Sequence, residues 1–136
     1  SGAHRYLHSF PTRRSSDLAF KRAYPDRTLI AVFEPRTNTS RTRRFQEAYL
    51  HSLEWADRVV LLPPPPDPRI PPEECFACEE VVDLLGKHGV KAARCATADE
   101  AVLAVESCLS GPAVILCMSN GPMDNLPARL AERFRP

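Results

Sequence analysis

The chain has 136 residues, 43% apolar and 26% charged, with a formal net charge of +1, which suits one domain with an ordinary core. No apolar run approaches the roughly 18–20 residues of a membrane helix, so a spanning protein is not expected. The near-neutral charge argues against a broad nucleic-acid-binding face, and five cysteines without paired spacing argue against a secreted disulfide framework.

In chain order, Ser1 to Leu18 has neither a helical period nor strand alternation, and it lacks the apolar stretch of a signal peptide. Its part HSFPTRRSSDL (His8 to Leu18) resembles one reading frame of a DNA-sequencing adapter. Residues 1–18 are therefore expected to be non-native and disordered, a basic N-terminal tail being the alternative. Ala19 to Tyr24 reads as the last turns of a helix stopped by Pro25-Asp26. Leu29 to Phe33 (LIAVF) is a continuous apolar run, as a strand covered on both faces requires. Arg41 to Ala56 carries Phe45, Ala48, Tyr49, Ser52, Leu53 and Ala56 at spacings of three and four, a helical period. Thr39 or Ser40 would cap it, and Trp55 would anchor its inner face.

Val59 to Leu62 is a second strand. Pro63 to Pro72 can be neither helix nor inner strand, because proline lacks the donor and fixes φ. It reads as a stiff extended loop, with a partner-docking polyproline segment as the alternative. Glu73 to His88 is expected as a helix ended by Gly89, and Val90 to Ala96 as a weaker strand. Thr97 should cap a helix over Ala98 to Leu109, with Glu100 completing a capping box. Ala113 to Met118 (AVILCM) is a fourth buried strand, and a last helix covers about Leu126 to Phe134. Alternating strands and helices with near-continuous apolar strands predict an α/β fold: a Rossmann-like three-layer αβα arrangement with a mainly parallel sheet. Ligands of such sheets bind at the carboxyl ends of the strands. Attention therefore falls on three loops, Glu34 to Arg44, Pro63 to Pro72 and Ser119 to Asn125.

The first of these places Arg36, Arg41, Arg43 and Arg44 within nine positions, with Thr, Asn and Ser between them. Arginine offers a planar fork that pairs bidentately with carboxylate or phosphate. At a strand's carboxyl end this composition suits an anionic ligand, and it equally suits a solvated charged loop. In the last loop, Ser119 and Asn120 supply polar groups and Gly121 permits close approach; an ordinary turn with a helix cap is the alternative. Cys75-Phe76-Ala77-Cys78 is a lone C-x-x-C without the two further ligands that zinc needs. His51 and His88 lack a triad arrangement, and Cys117 reads as packing. Neither a catalytic residue nor a metal ligand is expected.

The segment FEPRTNTSRTRRFQEAYLHSLEWADRVVL and the MSNG that follows the last strand resemble the C-terminal domain of the Mur ligases, ATP-dependent ligases of peptidoglycan assembly. The resemblance runs from about Ala19 to the end. The two motifs are most similar to the branch that joins the murein tripeptide L-alanyl-γ-D-glutamyl-meso-diaminopimelate to UDP-N-acetylmuramate. It implies a domain that binds the amino component, with Arg36, Asn38, Arg41, Ser119, Asn120 and Gly121 as candidate substrate contacts. It also implies a reaction through an acyl phosphate, with ATP and Mg held mainly by other domains, in the cytoplasm. The chain departs from the family after Gly121: Pro122-Met123-Asp124-Asn125 stands where the family has further glycines.

The sequence contains no G-x-x-x-x-G-K-[ST] phosphate loop, which the family carries in its central domain, and no D-x-x-H-H-P stretch before Ala19. The resemblance thus implies a domain (residues 19–136) missing its first strand and needing central and N-terminal partners, inactive alone. A free-standing α/β module that binds a small anion without catalysis is the alternative.

Overall fold

In the computed structural model, which describes residues 4–9, 22–36, 41–119, 121 and 123–134, five strands form one sheet. They are β1 (His4–Ser9), β2 (Thr28–Phe33), β3 (Arg58–Leu61), β4 (Lys91–Arg94) and β5 (Ala113–Met118), in the spatial order β1-β5-β2-β3-β4. Every pairing is parallel. The helices are α1 (Gln46–Leu53), α2 (Cys78–Lys87), α3 (Ala98–Cys108) and α4 (Leu126–Arg133). None is long and apolar enough to cross a membrane.

Side chains alternate across a strand, and β2 shows the consequence. Leu29, Ala31 and Phe33 pack with Leu50 and Leu53 of α1 and Val81 and Leu85 of α2. Ile30 and Val32 pack on the opposite face with Ala101, Val102 and Val105 of α3 and Leu126 and Leu130 of α4. Both faces are covered, so β2 and β5 are apolar at nearly every position. This is the three-layer αβα arrangement that the sequence predicts. Strand β4 closes one edge; Lys91, Ala93 and Arg94 are exposed there, which explains its weak signal.

Local chemistry fixes the element ends. Thr97 Oγ1 accepts from the Glu100 amide at 3.2 Å and Glu100 reaches back to the Ala96 amide at 2.6 Å, so the expected cap is present. Gly89 adopts φ +81°. The Val90 amide then donates to the Leu85 carbonyl at 2.9 Å and the Gly89 amide to the Gly86 carbonyl at 3.1 Å, the paired closure of a Schellman stop.

Four expectations need correction. Residues 1–18 are expected to be disordered and the domain to lack its first strand, yet His4–Ser9 pairs along its whole length with β5, opposite Ala113–Met118, as a strand that precedes β2. The second helix begins at Cys78, not Glu73. Only Pro72–Glu74 makes a 3-10 turn before it, because Cys75 bridges Thr42 and the Phe76 amide donates to the Arg41 carbonyl at 2.7 Å. The first helix begins at Gln46 after a 3-10 turn over Arg43–Phe45, so a cap at Thr39 or Ser40 has no adjacent helix to serve; those two residues lie outside the described ones. Because α1 ends at Leu53, Trp55 falls in the following turn and is 50% exposed instead of anchoring a face.

Candidate functional site

The chain leaves β2 toward β3 on one side and returns through β5 on the other, so the crevice between β2 and β5 is the topological switch point of the sheet. Phe33 pairs in register with both Leu61 and Met118. The loops that follow β2, β3 and β5 therefore start at one edge, as the sequence leads one to expect.

Glu34 extends the ladder, its amide donating to the Met118 carbonyl at 3.1 Å. Its carboxylate is buried and accepts from Ser119 Oγ at 3.1 Å. Ser119 is fully buried, and its Oγ also accepts from the Gly121 amide at 3.0 Å. Pro35, also buried, carries the chain outward. Arg36 turns back so that a guanidinium nitrogen lies 3.5 Å from Glu34 Oε1, while its side chain is 37% exposed at the mouth. On the way it crosses Gly121 so closely that a Cβ there would fall 2.1 Å from Arg36 Cδ.

Arg41 sits behind this group. Its Nε donates to the Arg36 carbonyl at 2.8 Å and its NH1 lies 3.2 Å from Asp67 Oδ2. Asp67, in the proline-rich loop, is nearly covered and also accepts three hydrogen bonds from Arg69: the backbone amide and Nε at 3.0 Å each, and NH2 at 2.9 Å. The side-chain and backbone hydrogen bonds from Arg69, with the Arg41 charge beside them, hold the Asp67 carboxyl down at about 2. Beneath the loops Phe33 stacks on Tyr49 with centroids 5.0 Å apart and meets the edge of Phe76 at 5.9 Å.

The fold thus gathers Arg36, Ser119 and Gly121, with Arg41 one step behind. Asn38 and Asn120 lie outside the described residues. Arg36 presents charge at the mouth; Arg41 is committed to joining two loops, and the Ser119 hydroxyl is engaged as donor and acceptor within the scaffold. Sequence reasoning did not single out Glu34, Asp67 or Arg69. A signal for the last two existed: the one carboxylate of the proline run stands two residues before an arginine.

The two cysteines of the C-x-x-C meet different carbonyls. Cys75 Sγ lies 3.4 Å from the Pro71 carbonyl and Cys78 Sγ 3.9 Å from the Leu62 carbonyl. Burial pushes the Cys78 thiol up to about 11. Among the described residues no three His, Cys, Asp or Glu side chains are placed to hold a metal ion. His51 and His88 both turn to Glu54, at 3.5 and 2.5 Å.

No family model matches the chain. Its structure superposes on a murein peptide ligase from Psychrobacter arcticus with a TM-score of 0.67 and 22% identity, covering 93% of this chain and 26% of that one. The fold is that of a Mur ligase domain. A domain from a UDP-N-acetylmuramate:L-alanyl-gamma-D-glutamyl-meso-diaminopimelate ligase of Haemophilus ducreyi gives a TM-score of 0.62 at 22% identity, over 96% of this chain and 87% of that domain. UDP-N-acetylmuramate-alanine ligase from Thermotoga maritima gives 0.61 at 18% identity, over 88% of this chain and 23% of that one. In sequence, the chain is 36% identical over 58 residues to UDP-N-acetylmuramate–L-alanine ligases from two strains of Lactobacillus delbrueckii subsp. bulgaricus; the match spans 43% of this chain and 13% of those relatives. The likeness to Mur ligases is therefore seen in sequence and in fold, over a small part of each full-length relative.

Proposed function

We propose that residues 19–136 are the C-terminal domain of an ATP-dependent, amide-forming Mur ligase, and that the domain binds the amino component while a murein tripeptide is joined to UDP-N-acetylmuramate. The observation that carries this reading is Arg36, held at the switch-point mouth between the β2 and β5 loops with its guanidinium partly exposed. Two of the structural neighbours described above support it by name, one a murein peptide ligase and one a ligase of that tripeptide.

The incoming tripeptide carries several carboxylates. Arg36 would pair one of them bidentately and leave the amine free to attack. Its 3.5 Å contact with Glu34 is long for an ion pair and leaves much of the fork available. Ser119 and Gly121 would support Arg36 from beneath, Arg41 would keep the β2 loop in place from behind, and Asn38 and Asn120, outside the described residues, stay candidate contacts. Such positioning can contribute several kcal/mol to a reaction.

ATP and Mg do not fit the residues present. The chain has no phosphate loop. Of the acidic groups at the crevice, Glu34 is committed to Ser119 and Arg36, and Asp67 to Arg41 and Arg69. No step through the nucleotide is assigned to this domain; the central domain of a full-length ligase would hold it, and the N-terminal domain the sugar nucleotide. This chain alone is expected to be inactive. A cytoplasmic location would follow from the proposed ATP and nucleotide-sugar substrates. The same reading takes the sequence of residues 1–18 as non-native even though His4–Ser9 joins the sheet as β1, and recovery of the same codons from independent template would refute that part.

The test is Arg36→Lys in the full-length ligase. Lysine keeps the charge and loses the fork. KM for the tripeptide should rise about tenfold, equivalent to ~1.4 kcal/mol, while KM for ATP holds. Unchanged tripeptide kinetics in a folded variant would make Arg36 a solvated loop charge.

A further inference from the structure

We infer that Gly121 is a positioning residue whose missing side chain forms the seat of Arg36. The two residues belong to a closed ring across the switch point. Arg36 pairs with Glu34, Glu34 accepts from Ser119, Ser119 accepts from the Gly121 amide, and Gly121 lies under the Arg36 side chain. Two members, Glu34 and Ser119, are buried.

Glycine is required here for space, not for backbone freedom. Gly121 is absent from the glycines with positive φ, among which Gly89 stands alone in the described residues. A Cβ at position 121 would lie 2.1 Å from Arg36 Cδ, 2.3 Å from Nε and 3.0 Å from Cζ. All three atoms belong to the outer half of a flexible side chain. An added methyl group therefore displaces Arg36 and leaves the backbone of both loops where it is. The close approach that the last loop's glycine permits is made by the chain's own arginine. A larger residue at 121 would release the guanidinium from Glu34 and from a fixed aim at the mouth.

The seat itself stands on geometry alone; its effect on the ligand rests on the function proposed above. Two measurements on the 136-residue chain separate them. The first follows the Nε–H resonance of Arg36 by NMR, assigned by its disappearance in Arg36→Ala. Gly121→Ala should move it, because the added Cβ would fall 2.3 Å from Nε and must push it aside, while the urea midpoint stays close to that of the parent. An unmoved resonance overturns the inference. If Gly121→Ala does not fold, the double variant with Arg36→Ala should fold, because the obstructing side chain is gone; failure of the double variant as well would show a backbone role and overturn it.

The second titrates the tripeptide L-alanyl-γ-D-glutamyl-meso-diaminopimelate. Arg36→Ala should raise Kd about tenfold, Gly121→Ala by a similar factor, and the double variant by no more than either. Losses that multiply in the double variant would mean that Gly121 acts other than through Arg36, and would overturn the inference. If Arg36→Ala leaves Kd unchanged, or the parent does not bind, the ligand reading falls, and the Nε resonance still decides the seat.

Discussion

The segment that leads from the β5 loop into α4 has an unusual backbone. Met123, Asp124 and Asn125 have φ of 51°, 53° and 60° in succession, and Asp124 completes a left-handed conformation with ψ 41°. Such a conformation costs an L-residue with a Cβ about 1–2 kcal/mol and costs glycine almost nothing. Asp124→Gly and Asp124→Ala both remove the exposed contact with Arg129 at 3.3 Å, so the difference between the two variants isolates the backbone. Glycine gives back about 0.4–1 kcal/mol through its freer unfolded chain. The glycine variant should therefore be the more stable by about 0.8 kcal/mol, within a span of about 0 to 1.6 kcal/mol. In a right-handed helix the order is reversed, with alanine ahead by about 1 kcal/mol. Urea unfolding of both variants, followed by circular dichroism, reads the difference directly. An alanine variant ahead of the glycine variant, toward the helical order of about 1 kcal/mol, would refute the left-handed assignment.

Other consequences can be checked on the same chain. Phe33→Ala should cost about 3–5 kcal/mol in urea unfolding, because Phe33 is fully buried between Tyr49 and Phe76; a loss under about 1 kcal/mol would contradict that packing. The Asp67 carboxyl is held at about 2, below its ordinary 3.8. Its stabilisation is thus complete above the ordinary value and is lost as pH falls toward 2. The difference in Tm between parent and Asp67→Asn should be flat above pH 5 and shrink at lower pH; a difference that grows on acidification would be wrong in sign. Burial pushes the Cys117 thiol up to about 12 and Cys78 to about 11, and raises Cys95. Iodoacetamide at pH 8 should label the partly exposed Cys75 and Cys108 in the folded chain and the other three only after unfolding, as read by peptide mass spectrometry.

What the sequence made legible was whatever depends on neighbours along the chain. LIAVF and AVILCM identify two inner parallel strands because covering both faces removes the polar alternation. Gly89 and the Thr97–Glu100 pair mark helix ends because each acts within five residues. The errors arise where a distant segment competes for the backbone. Residues 73–77 have a helical composition, but Cys75 sits in a bridge opposite Thr42 and the Phe76 amide goes to the Arg41 carbonyl, and no local pattern records a partner more than 30 residues away. His4–Ser9 carries no strand signal of its own; only the fold shows it paired in register along the outer edge of β5.

The site divides in the same way. Arg36 stood out because a fork-shaped cation between a strand end and a run of polar residues is a chemical pattern that sequence displays. Glu34 did not, since an acidic residue after a strand is usually solvated; only the fold shows it buried against Ser119, 85 positions away. Asp67 was hidden by the prolines around it, whose evident role was stiffness. In the structure that stiffness and the carboxylate act together: a rigid loop holds Asp67 where it fixes Arg41, and Arg41 in turn holds the Arg36 carbonyl. Arg36 is thereby constrained from both ends, its backbone through Arg41 and its side chain over Gly121. Loosening either end should affect how Arg36 is aimed without touching the β-sheet. Loop positioning at 121 is consequently separable from fold stability at 33, while Asp67 joins the two, since it fixes Arg41 and also contributes the stability that acid removes.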